Sequence, residues 1–227
     1  MKDKLFVISL GGSLIVPDQI DSDFLKNFKK LIDSFIKKGC KFVIISGGGK
    51  TCRNYVQAAR NVLKLSDDDC DWLGIHSTRL NAHLLRTIFY KNASPKIVTH
   101  PLEKFEFKGQ ILIAAGWKPG FSTDFDAVIL AKKLKAKKII NLSNIDYAYD
   151  KDPRKHKDAK PIMEASWKEF RKILPKKWSP ASNSPFDPVA SAEAEKSKLE
   201  VVIMNGKNLE NLKNYLLDKD FIGTKIT

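Results

Sequence analysis

The sequence predicts an α/β fold, a three-layer α/β/α sandwich around a mainly parallel central sheet. Three observations predict it. Short charge-poor runs rich in Val, Ile, Leu and Phe alternate without a break with longer segments of helical period, the pattern of strands buried on both faces between helices. Glycines stand directly at the ends of these runs, at 11–12, 47–49, 116 and 206, where tight turns and close backbone approach favour them. The first stretch, of roughly 50 residues, reads strand–helix–strand, one βαβ unit. The chain of 227 residues is read as a single domain over 1–227, long enough for a proper core.

Residues 5–10, LFVISL, are the first buried strand, and they end in Gly11, Gly12 and Ser13. A helix over 23–38 follows, with Asp21 or Ser22 able to cap it. Phe24, Phe28, Leu31, Ile32 and Phe35 fall on one of its faces,, and Gly39 is placed as its C′ residue. Residues 42–46, FVIIS, form a central strand; Gly47, Gly48 and Gly49 follow at once, then Lys50, Thr51, Cys52 and Arg53 and a helical pattern to Arg60. The next helix runs from Ser66 to about Tyr90, with Trp72, Ile75, Leu80, Leu84, Leu85 and Ile88 at helical spacing,. Residues 96–99 read as a short strand, and 111–115 as a buried strand opening into GWKPGFSTD at 116–124. Asp124 is expected to cap a helix over 125–134. A strand over 138–142 leads into SNIDYAYDKDP at 143–153. Residues 154–188 are rich in Lys, Pro and Ser, with one short helix at 167–173. A helix over 189–198, a strand over 201–206, a helix over 209–217 and a closing strand over 221–226 complete the alternation.

The formal net charge is +14, from 40 basic and 26 acidic residues. Such an excess suits nucleic acid or a small polyanion. Much of it sits in lysine pairs, such as 132–133, 137–138 and 176–177, and no tract rich in arginine and aromatics appears. A solvated lysine surface with a small anionic substrate is therefore favoured, with no nucleic-acid partner. No apolar run approaches the ~20 residues of a membrane span, and no signal-type segment leads the chain, so no membrane partner is expected. Cys40, Cys52 and Cys70 are scattered and lack metal-ligand spacing,. They read as thiols in a reducing cytoplasm. His76, His83, His100 and His156 show no ligand spacing either, so no protein metal site is expected.

The glycine triplet carries the first chemical signal. A buried strand, a glycine turn and a helix start place free N–H groups and a helix dipole at one point. Arg53 falls one turn into that helix, where its fork reaches a phosphate. A tight turn alone needs one glycine; three, followed by Lys50 and Arg53, favour an anion site.

Four strand ends carry polar or glycine-rich loops, at 11–13, 47–53, 116–124 and 143–153. With DWLG at 71–74, TRLNA at 78–82, FDP at 186–188 and FIGT at 221–224, their order and spacing resemble the amino acid kinase superfamily. Within it the likeness is to archaeal-type uridylate (UMP) kinases or a bacterial relative of them, and it runs from Val7 to Thr224. The resemblance implies in-line transfer of the ATP γ-phosphate to UMP, with Mg²⁺ bridging phosphates rather than held in a protein cage. It also implies a homo-oligomer, dimer or hexamer, with the helix from Asp71 to Tyr90 as dimer face, and an acceptor half over about 1–124 before an ATP half over about 125–227. Such chemistry rests on positioning and charge neutralisation.

Residue by residue, the resemblance places Gly12, Ser13, Gly49, Arg53, Ser143, Asn144, Tyr149 and Asp152 on the ATP side. It places Gly48, Asp71, Trp117, Lys118, Pro119, Gly120, Phe121, Ser122 and Thr123 around UMP, with Asp71 on the ribose and Thr123 against the base. Asp124 lies near the transferring phosphate. Three departures stand out. Ser9 occupies the position where many superfamily kinases carry a lysine, so Lys50, Arg53, Lys118 and Lys177 become candidates to meet transition-state charge. Tyr147 replaces a glycine in the ATP-side motif. Trp117 and Lys118 stand where relatives usually have smaller or different residues. The catalytic set expected is Arg53, Asp124, Lys118 and Lys177. A kinase of another small anionic acceptor, and a non-catalytic nucleotide-binding homologue, are the alternatives. An isopentenyl phosphate kinase would carry a histidine shortly after the glycine triplet, and residues 50–53 offer none.

Overall fold

The computed structural model describes residues 4–175 and 184–227. β1 (Leu5–Leu10), β2 (Lys41–Ser46) and β3 (Ile111–Ala114) are joined by α1 (Gly12–Ile15), α2 (Ser22–Ile36), α3 (Gly49–Val62) and α4 (Asp67–Ile88). Then come α5 (Thr123–Lys133), β4 (Lys138–Ser143), the short strands β5 (Ala148–Tyr149), β6 (Pro161–Ile162) and β7 (Glu164–Ala165), and α6 (Trp167–Ile173). α7 (Pro188–Lys196), β8 (Glu200–Asn205), α8 (Leu209–Leu216) and β9 (Thr224–Ile226) close the chain.

Seven strands form one sheet in the order β3-β2-β1-β4-β8-β9-β7. All pairs are parallel except β8 with β9. Because side chains alternate across a strand, the sheet separates two cores. Phe6, Ile8, Leu10, Phe42 and Ile44 face α1, α2, α4 and α8 on one side. Val7, Val43 and Ile45 face α5, α6 and α7 on the other. Both faces are covered, so strand residues are apolar in succession rather than alternating.

The chain builds outward from β1 in one direction, through β2 to β3, and then from β4 in the other. Strand order reverses between β1 and β4. In open α/β sheets, ligands sit beyond the carboxyl ends of the strands at such a reversal.

Several local expectations are corrected. Residues 96–99 do not form a strand; Val98 makes one isolated bridge to Ala114. Over 94–99, backbone contact with β3 is made only at separated points, through Ser94 N to Ile111 O and Val98 N to Ile113 O, and Pro95 between them has no N–H to donate,. The closing strand starts at Thr224 rather than Phe221, because Ile222 is held by Asn211 of α8 through bonds to its N–H and carbonyl. The segment 154–188 holds β6 and β7 beside the foreseen α6. Asp21 caps α2 through Phe24 N. Gly39, at φ +85, comes two residues after the cap Lys37 and so lies one past C′.

Candidate active site

Two glycine loops meet at the carboxyl ends of β1 and β2, and they meet backbone to backbone. Gly47 N donates to Leu10 O, Gly11 N to Leu142 O and Lys50 N to Val16 O, each at 2.9 Å. A Cβ on Gly12 would lie 2.0 Å from Gly49 N, and one on Gly47 2.4 Å from Gly12 N. Gly49 also has φ +65, a conformation that side chains resist,. The triplet is thus needed for close packing as well as for turning. From α4, Asn81 Nδ2 donates to Gly47 O (2.8 Å) and Gly48 O (3.2 Å), and Ser46 Oγ donates to Thr78 O. α3 begins here with Gly48 as cap, no side-chain cap bond and no acidic residue in its first turn. Its dipole and N–H groups favour an anion. Arg53 leans from α3 toward Pro17 O at 3.5 Å, and Lys50 lies 3.8 Å from Asp18. Both contacts are long, so both cations can turn to a phosphate.

Asp124 sits under the strand reversal. Its Oδ1 accepts from Ser9 Oγ of β1 (3.0 Å) and Asn141 Nδ2 of β4 (3.1 Å), and its Oδ2 from Asp187 N (3.3 Å). One carboxylate therefore joins β1, β4, α5 and the start of α7. Enclosure first, and then the Asp187 charge, push it up to about 7, while the bonds from Ser9 and Asp187 N oppose the rise,. The expected capping role is corrected: Ser122 caps α5, accepting from Phe125 N, and the helix starts at Thr123. Ser122 has extended backbone there, while Asp124 is already helical and its carboxylate turns inward.

The loop 116–122 hangs between α4 and α5. Asp71 accepts from Gly120 N at 2.8 Å. Burial raises its pKa, helped by Asp67 and Asp68 and opposed by the Gly120 bond. The rings of His100, Trp117, Phe121 and Phe125 follow one another at 4.8, 5.2 and 4.5 Å between centroids. Lys118 Nζ rests 4.3 Å from the Trp117 ring centroid and 5.2 Å from that of Phe121, a cation–π contact. Pro119 and Thr123 complete this wall at intermediate exposure.

On the far side of the reversal, Ser143 ends β4 and its carbonyl accepts from Gly206 N. Ser143 and Asn144 thus border the end of β8, where Asn205 Nδ2 donates to Asp146. Ser13 lies in α1 beside Gly12. Tyr149 is in the β5–β6 ribbon. Asp152 accepts two bonds from the Arg154 guanidinium, each at 3.0 Å, and this holds its carboxyl below the usual range. Its partner is therefore a sequence neighbour rather than another member of the site. Lys177 and Lys176 lie outside the described residues. Among the described residues no three His, Cys, Asp or Glu side chains converge to hold a metal ion, and no helix is long and apolar enough to cross a membrane.

Sequence reasoning did not assign roles to Thr78, Arg79, Asn81, Asp126, Asn141 or Asp187. Three belong to the 78–82 motif and one to the 186–188 motif, so the signal was present as motif but carried no chemistry until the loops were in place. Asp126 is almost fully buried. Nothing in its helix pattern separates it from a solvated carboxylate.

The amino acid kinase family model matches residues 4–205. The uridylate kinase of Methanobrevibacter smithii is 34% identical over 223 residues, 97% of each chain. That of Hyperthermus butylicus is 32% identical over 224 residues, again 97% of each. Among solved structures, the uridylate kinase from Archaeoglobus fulgidus superposes with TM-score 0.83 at 30% identity, covering 99% of this chain and 100% of that one. The UMP kinase from Bacillus anthracis, at 19% identity and TM-score 0.77, covers 100% of this chain and 97% of its own, and shares the fold.

Proposed function

That this chain belongs to the amino acid kinase family is the premise from which we propose that it is a uridylate kinase, transferring the γ-phosphate of ATP to UMP to give ADP and UDP. The observation that carries the reading is a single sheet edge where two glycine loops, a helix start and the 116–124 loop converge, in a chain alike over its length to uridylate kinases.

The phosphate oxygen of UMP attacks the ATP γ-phosphorus in line, and the bond to the β–γ bridging oxygen breaks. No side-chain nucleophile is required, so the chain's task is placement and charge. Gly48 and Gly49 with the start of α3 hold phosphate oxygens through backbone N–H groups. Gly12 and Ser13 do the same from the first loop. Arg53 and Lys50 from α3 and Lys118 from the 116–122 loop meet the charge that spreads over the transferring group. Lys177 supplies a further cation. Asp124 fixes the floor under that group by tying β1, β4 and α7 together. Asp71 offers its remaining lone pairs to the ribose, and the wall from Trp117 to Thr123 takes the uracil. Ser143, Asn144, Tyr149 and Asp152 are placed along the ATP nucleoside, so the halves over about 1–124 and 125–227 serve acceptor and donor. Mg²⁺, when bound, would partner the phosphate oxygens and reduce their mutual repulsion. The enzyme is placed in the cytoplasm. Exposed Tyr55, Val62, Leu63, Trp72 and Leu80 on α3 and α4 and just beyond α3 support self-association through these helices.

An ADP-release assay with UMP, CMP, dUMP and small carboxylates tests the reading. Turnover with UMP is expected. Another acceptor working where UMP does not would move the activity elsewhere in the family.

A further inference from the structure

Gly116 and Trp117, the second and third residues after β3, have every backbone polar group held by a side chain. Gly116 N donates to Thr78 Oγ1 at 2.9 Å. The Arg79 guanidinium donates to Gly116 O (Nε, 3.4 Å) and to Trp117 O (Nη2, 3.0 Å). Trp117 N donates to Asp126 Oδ2 at 3.1 Å. A strand end ordinarily hands these groups to the next turn or to water. Here two helices that are not adjacent in sequence, α4 and α5, grip them instead. The same stretch of α4 holds the other loop through Asn81 and the carbonyls of Gly47 and Gly48.

We propose that Arg79 and Asp126 are a positioning pair for the acceptor, clamping the Gly116–Trp117 backbone so that Trp117, Lys118 and the rest of the loop meet UMP at a fixed distance from the glycine triplet. The proposal rests on the uridylate kinase reading above. Neither residue touches substrate; both act through the loop.

The chemistry of Asp126 supports a role beyond packing. It is 1% exposed, and its Oδ1 has no hydrogen-bond partner among the described residues. A buried carboxylate with an unmet oxygen is costly, and an apolar residue of similar size would fill the space without that cost. What it supplies that an apolar residue cannot is an acceptor for Trp117 N. Burial, and then the charges of Asp124 and Asp187, push it up to about 8. The Trp117 N–H and Arg79 oppose that rise.

The test uses the full chain with Asp126→Ala, Asp126→Asn and Arg79→Lys, each checked for folding by its thermal transition. In Asp126→Ala the KM for UMP should rise at least tenfold while the KM for ATP stays within twofold. Asp126→Asn keeps an amide oxygen for Trp117 N and should recover most of the loss. Arg79→Lys, unable to reach both carbonyls from one planar fork, should behave like Asp126→Ala. Hydrogen exchange over 116–121 should quicken at least tenfold in Asp126→Ala and stay near wild type in Asp126→Asn. Unchanged exchange in a folded Asp126→Ala overturns the clamp. So does altered exchange with both KM values moving together, which marks a merely structural role. Absence of UMP turnover by the wild-type protein defeats the proposed function instead, and the exchange measurement still decides the clamp.

Discussion

Replacing Gly12 by Ala is the sharpest test of how this site is built. The added Cβ would stand 2.0 Å from Gly49 N, 2.6 Å from Gly47 C and 2.6 Å from Gly48 N. All three are backbone atoms, so no rotamer change relieves the clash. The two loops must part, although Gly47 N is bonded to Leu10 O and Lys50 N to Val16 O. Overpacking of this kind costs about 1–3 kcal/mol, and more where the obstacle is rigid. At about 2–4 °C per kcal/mol for a chain of this size, the thermal midpoint should fall by roughly 5–10 °C. kcat/KM should fall by more than tenfold, because the displaced N–H groups are the proposed phosphate contacts. Two other glycines calibrate the result. Gly120 has φ +84 but nothing within 4 Å of its Cβ position, so Gly120→Ala should cost only the left-handed conformation, about 1–2 kcal/mol. Gly74 lies inside α4 with only Cys52 Sγ at 3.5 Å, so Gly74→Ala should be neutral or raise the midpoint slightly. Differential scanning calorimetry and the coupled assay measure both effects. A Gly12→Ala protein as stable and as active as wild type would refute the reasoning.

Three further outcomes follow from the same geometry. Arg53→Ala and Asp124→Ala should each lower kcat/KM by more than tenfold, above ~1.4 kcal/mol of transition-state stabilisation; unchanged rates remove them from the site. Asp124 at about 7 and Asp126 at about 8 hold protons in the folded state that the unfolded chain, near the carboxylate value of 3.8, has lost. Their stabilisation is complete below about pH 4 and is lost as pH rises through 7–8, for Asp126 alone on the order of 5 kcal/mol at the limit; Asp126→Asn should flatten that slope in urea titrations from pH 5 to 8. Ser9→Ala removes a bond that favours ionised Asp124, so a limb of the kcat/KM profile set by Asp124 near pH 7 should move to higher pH,; an unmoved limb would detach Asp124 from the pH dependence.

The longer strands and most helices were legible because β1, β2, β3, β4 and β8 are runs poor in charge and each long helix repeats apolar residues at helical spacing, whereas the two-residue β5, β6 and β7 and the four-residue α1 are too short to show either pattern. Residues 96–99 show the limit: Ile97 and Val98 satisfy the composition of a strand, but pairing is a property of the neighbour and not of the segment. Asp124 shows it in another way. As a carboxylate in a Ser-Thr-Asp run it has the chemistry of a cap, and only the spatial meeting of Ser9, Asn141 and Asp187 shows where the side chain goes. The glycine triplet was readable as a turn from β2 into a helix start without a side-chain cap, while its contact with Gly12 required the register of β1 against β2. Arg79 and Asp126 are 47 residues apart by their numbers, and nothing in either local pattern points to the other.

Ser9 and the raised Asp124 are two sides of one arrangement. Val7 and Ser9 point to the α5 side of β1 because side chains alternate, and Asp124 rises from α5 to meet position 9. A lysine there would neutralise the carboxylate outright. A serine gives one neutral hydrogen bond, which does not offset enclosure and the Asp187 charge. The carboxyl at the floor of the groove can therefore be neutral near pH 7, leaving no full negative charge there for neighbouring cations to compensate. Lys118 resting on aromatic faces, and Arg53 and Lys50 in long contacts, are then not committed to short ion pairs. With serine rather than lysine at position 9, the cations Arg53, Lys50 and Lys118 lie on α3 and in the 116–122 loop, and it is there that the proposed function has them meet the phosphoryl group.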